Sequence, residues 1–93
     1  MLANPMHPGE VLKELYLDPL GMSPMALARE LKLPRTRIER LVKGTTGVTA
    51  DTALRLAKFF STTPQYWVNM QANYNLANTK TDLGGIEPLR MAG

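Results

Sequence analysis

Arg35, Thr36, Arg37, Arg40 and Lys43 fall in the single run RTRIERLVK, with Ile38, Leu41 and Val42 between them. At helical spacing the three apolar residues share one face and the cations take the other. An exposed helix of that kind fits the major groove of DNA, where an arginine fork matches the two acceptors of guanine and further cations neutralise phosphates. Arg29 and Lys32 raise the total to six basic residues in positions 29 to 43, opposed by Glu30 and Glu39, for a local charge of plus four. A solvated hairpin with one basic face has the same composition. What positions the helix therefore decides between the two readings.

The positioning elements lie just upstream. Met25, Leu27, Ala28 and Leu31 keep helical spacing, which breaks at Lys32-Leu33-Pro34 and resumes at Ile38, the pattern of a helix-turn-helix. Ser23 caps the first helix by accepting from a free backbone N–H, and Pro24 fits its first position, where no N–H partner is needed. Gly44 suits the left-handed residue that follows the second helix. Ala28 stands where the helices approach most closely. Lys32 occupies the turn position that favours a left-handed residue, usually glycine, which predicts strain of about 1 kcal/mol.

The rest of the chain reads as further helices. His7-Pro8-Gly9-Glu10 is a helix start, with Val11, Leu12, Leu15 and Tyr16 as its apolar face and Asp18-Pro19-Leu20-Gly21 as the exit after Leu17. His7 and Glu10 do not make a metal or acid–base pair, because no second histidine and no cysteine exist to complete a shell. After the loop Thr45 to Val48, Thr49 caps a helix over residues 50–60 with Ala53, Leu54, Leu56, Ala57 and Phe60 inward and Arg55 and Lys58 outward. Thr63 and Pro64 start the last helix, to about Asn78, with an apolar stripe of Trp67, Met70 and Tyr74 joined by Val68 and Leu76. That stripe is core or dimer interface rather than a ligand box. Residues 1–6 read as a loose N-terminus, 7–78 as the folded domain, and 79–93, with Gly84-Gly85 and Pro88, as a tail that is disordered unless a partner orders it.

Ninety-three residues make one domain of four or five helices, too small for a large catalytic architecture. There are no cysteines, so neither disulfides nor a thiolate metal site staples the fold. The net charge of +3 conceals an asymmetry: residues 1–28 sum to minus two, 29–43 to plus four and 44–93 to plus one. The basicity is a patch rather than a coat. No apolar run approaches the roughly 18 residues of a membrane span, and no leader-like segment opens the chain, so the expected location is the cytoplasm.

The order and spacing of His7-Pro8-Gly9-Glu10, Asp18-Pro19-Leu20-Gly21, the run from Thr49 to Ala57, and Thr63-Pro64-Gln65-Tyr66-Trp67-Val68-Asn69-Met70-Gln71 with Tyr74 resemble the HigA/VapI family of bacterial antitoxins. The resemblance covers residues 7–78. It implies an all-α, five-helix domain of the lambda-repressor-like type that dimerises, binds a palindromic operator in double-stranded DNA, represses its own operon and neutralises a HigB-like mRNA endonuclease. It implies no enzyme activity and no cofactor or metal. Carried onto this chain, the repressor pattern puts Arg35, Thr36 and Arg40 at base edges and Arg37 and Lys43 near phosphates. Ser23, Pro24, Thr45 and Thr46 fall against the DNA backbone. Lys32 replaces the usual turn glycine, and Pro34 stands where a hydroxyl cap is common.

Two partner surfaces follow as expectations. Two copies must hold their recognition helices about 34 Å apart, and Trp67, Met70 and Tyr74 are the expected dimer contact. A nuclease that handles RNA is expected to be basic, so the acidic Glu10, Glu14 and Asp18 of the first helix are the expected toxin contact. A free-standing repressor without a toxin shares every DNA-binding feature and differs only in its partner. A small hydrolase or metal enzyme lacks the converging groups that chemistry needs.

Overall fold

A computed structural model describes residues 4–90. Residues 1–3 and 91–93, parts of the two segments expected to be loose, lie outside the described residues. Five helices and no strand form among the described residues. The first, α1, runs without a break through Pro8–Val11, Leu12–Leu17 and Asp18–Leu20; then come α2 (Pro24–Leu31), α3 (Arg35–Lys43), α4 (Ala50–Phe60) and α5 (Pro64–Asn78). α2 packs on α3 and on α4, α4 on α5, and α1 lies across α3 and α5.

The local chemistry sets most boundaries. Ser23, Thr49 and Thr63 each accept a hydrogen bond from the backbone N–H three residues on, and Pro24 and Pro64 occupy first turns. Lys32 is left-handed at φ 61°, as expected, and Gly44 is left-handed at φ 79°. Ser61, at φ 57°, closes α4 in the same way.

α1 departs from expectation. The exit begins inside the helix, because Leu12–Leu17 is wound as a π-helix in which the Asp18 N–H reaches the Lys13 carbonyl. Pro19 follows directly, with no N–H to donate, and the helix ends at Gly21 with φ 62°. That register puts Leu12 and Leu17 on the core side and turns Leu15 out, 62% exposed. Leu54, expected inward, is 60% exposed, because it lies off the stripe made by Ala53, Leu56, Ala57 and Phe60.

The core gathers Leu12, Leu27, Ile38, Leu41, Leu56 and Trp67 from all five helices. Tyr16, Phe60 and Tyr66 surround the Trp67 ring, with centroids 5.3, 6.4 and 5.1 Å away. The indole N–H donates to Thr62 Oγ1 at 2.8 Å, so the largest buried side chain is also satisfied. Tyr16 and Tyr66 join α1 to α5 through their hydroxyls at 3.3 Å. Burial and that bond push the Tyr16 phenol up to about 12.

Candidate nucleic-acid interface

α3 presents its polar side outward. Ile38 and Leu41 are buried against α2, while Arg35, Thr36, Arg40 and Lys43 are exposed. Arg40 and Lys43 have no carboxylate in ion-pair range among the described residues, and Arg35 makes only a long contact, 3.7 Å, to Glu39. Thr36, Arg40 and Thr46 line one cleft of about 310 Å³ between α3 and the loop that follows it. Pro34 contributes no side-chain cap to α3; the Arg37 N–H instead donates to the Pro34 carbonyl at 3.1 Å.

Two supports hold α3. At its start, Arg55 of α4 donates from Nη1 to the Leu31 carbonyl at 2.7 Å and to the Lys32 carbonyl at 3.5 Å, which fixes the strained turn. Asp51 pairs with both Arg55 and Arg37, each at 3.1 Å. Arg37 also donates to Thr49 Oγ1 at 3.3 Å. Arg37 was expected beside a phosphate; in the structure it pairs with α4 while remaining partly exposed, so it also orients the helix. Arg55, expected to point outward, is a brace between three elements. The spacing of Asp51 and Arg55, four apart on one helix, was the available signal; the carbonyls that Arg55 reaches lie far along the chain.

At the far end, α1 is pressed against α3. A Cβ on Gly9 would stand 1.7 Å from the Leu41 carbonyl oxygen, so only glycine fits. His7 Nδ1 accepts from the Gly9 N–H at 2.9 Å and caps α1. Its ring packs edge-on to Tyr74 at 4.8 Å and faces Gly44. Burial holds the imidazole below its ordinary 6.5, against the pull of the Thr46 backbone and the Glu10 charge. The four residues that read as a helix start are thus also the seat for the end of α3. Gln71 of α5 accepts from the Val48 N–H at 2.8 Å and steadies the loop that carries Thr45 and Thr46. Thr45 Oγ1 donates to the Arg40 carbonyl at 3.1 Å and Ser23 Oγ accepts from the Ala26 N–H at 3.0 Å; Ser23, Thr45 and Thr46 are all exposed, Thr46 at the cleft.

The other expected surfaces change. Trp67 is wholly buried, Met70 packs against the core and Tyr74 lies on His7. Trp67 is therefore closed to a dimer contact, whereas Met70 and Tyr74 stay partly exposed. On α1, Glu10 and Glu14 are exposed, whereas Asp18 is paired with Lys13 at 3.0 Å, so the acidic face is smaller than its sequence suggests. Among the described residues no three His, Asp or Glu side chains converge as a metal site, and no helix is long and apolar enough to cross a membrane.

Two short helices joined by a tight left-handed turn, the second basic and exposed, define a class. The chain belongs to the helix-turn-helix family, whose sequence pattern matches residues 12–67, and to its HigA/VapI branch. It is 47% identical to virulence-associated protein I of Dichelobacter nodosus over 87% of this chain and 75% of that one. The solved structure of Pseudomonas aeruginosa antitoxin HigA with the higBA promoter superposes with a TM-score of 0.86 at 39% identity, covering 94% of this chain and all of that one. Antitoxin GraA in complex with its operator gives a TM-score of 0.87 at 33% identity, over 95% and 94% of the two chains.

Proposed function

We propose that this chain is a cytoplasmic antitoxin, neither enzyme nor cofactor carrier, that binds its palindromic operator as a homodimer, represses its own operon and neutralises a HigB-like mRNA endonuclease. The observation that carries the reading is α3: an exposed basic helix braced at its start by Arg55 and at its end by α1, in a fold shared with proteins solved on promoter or operator DNA. Residues 7–78 act as the DNA-binding domain, with α5 on the dimer side. Arg35, Thr36 and Arg40 read bases. Lys43, Thr46 and the start of α2 at Ser23 and Pro24 meet the phosphate backbone.

A bidentate arginine supplies about 1–3 kcal/mol of discrimination at its base pair. Arg35→Ala and Arg40→Ala should each lower the ratio of operator to random-DNA affinity, while Lys43→Ala weakens both alike and reduces the salt slope by about one. Equal losses on both DNAs for all three variants sink the assignment. The toxin contact falls on Glu10 and Glu14 of α1. Cells carrying the Arg35→Ala, Arg40→Ala double variant should lose repression yet stay protected from the co-expressed toxin, and Glu10→Lys with Glu14→Lys should do the reverse.

A further inference from the structure

The last third of the chain leaves two apolar sets uncovered. On α5, Val68 is 41% and Leu76 77% exposed, with Ala72 exposed between them; the three lie one turn apart, on the side away from Trp67. Beyond Asn78, Leu83, Ile86 and Leu89 are 64%, 67% and 83% exposed. The end of α5 is closed by Asn78 Nδ2 donating to the Tyr74 carbonyl and Thr79 Oγ1 to the Asn75 carbonyl, and the chain leaves in extended backbone. Later hydrogen bonds of residues 80–90 are local, Gly84 N–H to Asp82 Oδ1 and Ile86 N–H to the Leu83 carbonyl. The described chain measures 54 × 25 × 23 Å, so this arm runs clear of the bundle.

We propose that residues 79–90 of one copy lie across the Val68, Ala72 and Leu76 face of α5 in a second copy, and that this reciprocal exchange of arms joins the dimer. The inference rests on the dimeric reading above. Three observations select a second copy as the occupant. Residues 64–78 contain no charged side chain at all, the depletion that marks the centre of a protein interface and suits neither a nucleic acid nor a strongly basic protein. The arm is neutral too, Lys80 and Arg90 balancing Asp82 and Glu87. Both unpartnered sets belong to one chain, so a two-fold operation covers both arms and both helix faces at once.

Length and area agree. The turn between Leu83 and Ile86 splits the arm into two stretches of about five residues; extended, each reaches about 16 Å, against about 12 Å along the helix from Val68 to Leu76, so either stretch can span the exposed face. Three side chains from each α5 fall short of the roughly 1,200 Å² that a stable interface buries. Each arm exposes on the order of 1,900 Å², and covering a third of that on both arms supplies about 1,300 Å² before the covered helix is counted.

The test compares the full chain with one stopped after Asn78. Sedimentation velocity should give a dimer for the first and, for the second, self-association at least 100-fold weaker with a cooperative thermal melt retained. Because the chain has no cysteine, Ala72→Cys and Ile86→Cys chains, mixed and oxidised, should yield a species of twice the mass with a 72–86 disulfide identified by mass spectrometry; this readout decides the matter if the shortened chain does not fold. Retained dimerisation of the shortened chain, or no 72–86 link between chains, overturns the proposal. So does a shortened chain that stays dimeric but no longer protects cells from the toxin, which would assign the arm to the toxin. A full chain that forms the cross-link but ignores its operator would overturn the DNA reading and leave the exchanged arm standing.

Discussion

Between Ser23 and Gly44 the buried side chains keep to one stripe of each helix, and the turn between them is held by Arg55 from α4. α5, by contrast, carries apolar side chains on two faces and leads into residues 79–90, all of them exposed. The first region is complete within one chain: its free side is polar and needs only a polyanion. The second is not, because its outer face and its arm hold apolar area that one chain does not cover. One region is shaped for DNA and the other for another protein surface.

The two faces of α5 give the strongest test of that contrast. Trp67→Ala removes a fully buried ring and should cost about 3–5 kcal/mol, a large part of the 5–15 kcal/mol typical of a whole domain. Leu76→Ala should leave urea unfolding of the dilute monomer almost unchanged and act only on self-association. Similar losses of monomer stability for both would erase the distinction between the faces.

Gly9→Ala probes how firmly the first region is seated. The added methyl meets the Leu41 carbonyl oxygen, so α1 and α3 must part, at about 1–3 kcal/mol for overpacking. Operator affinity should fall with stability, since the recognition helix moves; a variant as stable as the parent would show that α1 is not packed on α3.

His7 makes a smaller contribution that depends on pH. Its folded pKa lies below the ordinary 6.5 through burial, so between those values the unfolded chain holds the extra proton. The stabilisation is present above about pH 6.5 and is lost as pH falls from there toward the folded pKa. Melting curves should show His7→Asn, which keeps a capping side chain, losing less stability than the parent between pH 7 and 5. Parallel pH profiles would remove His7 from that role.

The smallest effect belongs to Lys32→Gly. Relief of left-handed strain, about 1 kcal/mol, is offset by the freedom glycine gains in the unfolded chain, so the melt should move by no more than a few degrees. A marked loss would show that the lysine side chain, rather than its backbone, holds the turn.

Sequence served best where a few neighbouring residues decide the outcome. Ser23, Thr49 and Thr63 as caps, Lys32 as a left-handed residue and Gly44 as a terminator each follow from local backbone chemistry. Leu15 was misplaced because a π-turn shifts the phase of α1, and Pro19 was the one local hint. Arg37, Asp18 and Trp67 were read from their own segments, whereas their states are set by Asp51, by Lys13 across a widened turn, and by rings from α1 and α4. The outer face of α5 was not separated in the sequence, since Val68 and Leu76 were counted into one stripe with Trp67, Met70 and Tyr74.

The contact between Gly9 and Leu41 has a thermodynamic reach. With no room for even a methyl group between them, α1 and the end of α3 are in direct backbone contact, a route by which one can bias the other. If a protein held on the outside of α1 changes operator affinity by some factor, the operator must change the affinity for that protein by the same factor. The sign of that reciprocity, cooperation or exclusion, is therefore measurable from either side, by titrating DNA into the protein complex or the protein into the DNA complex.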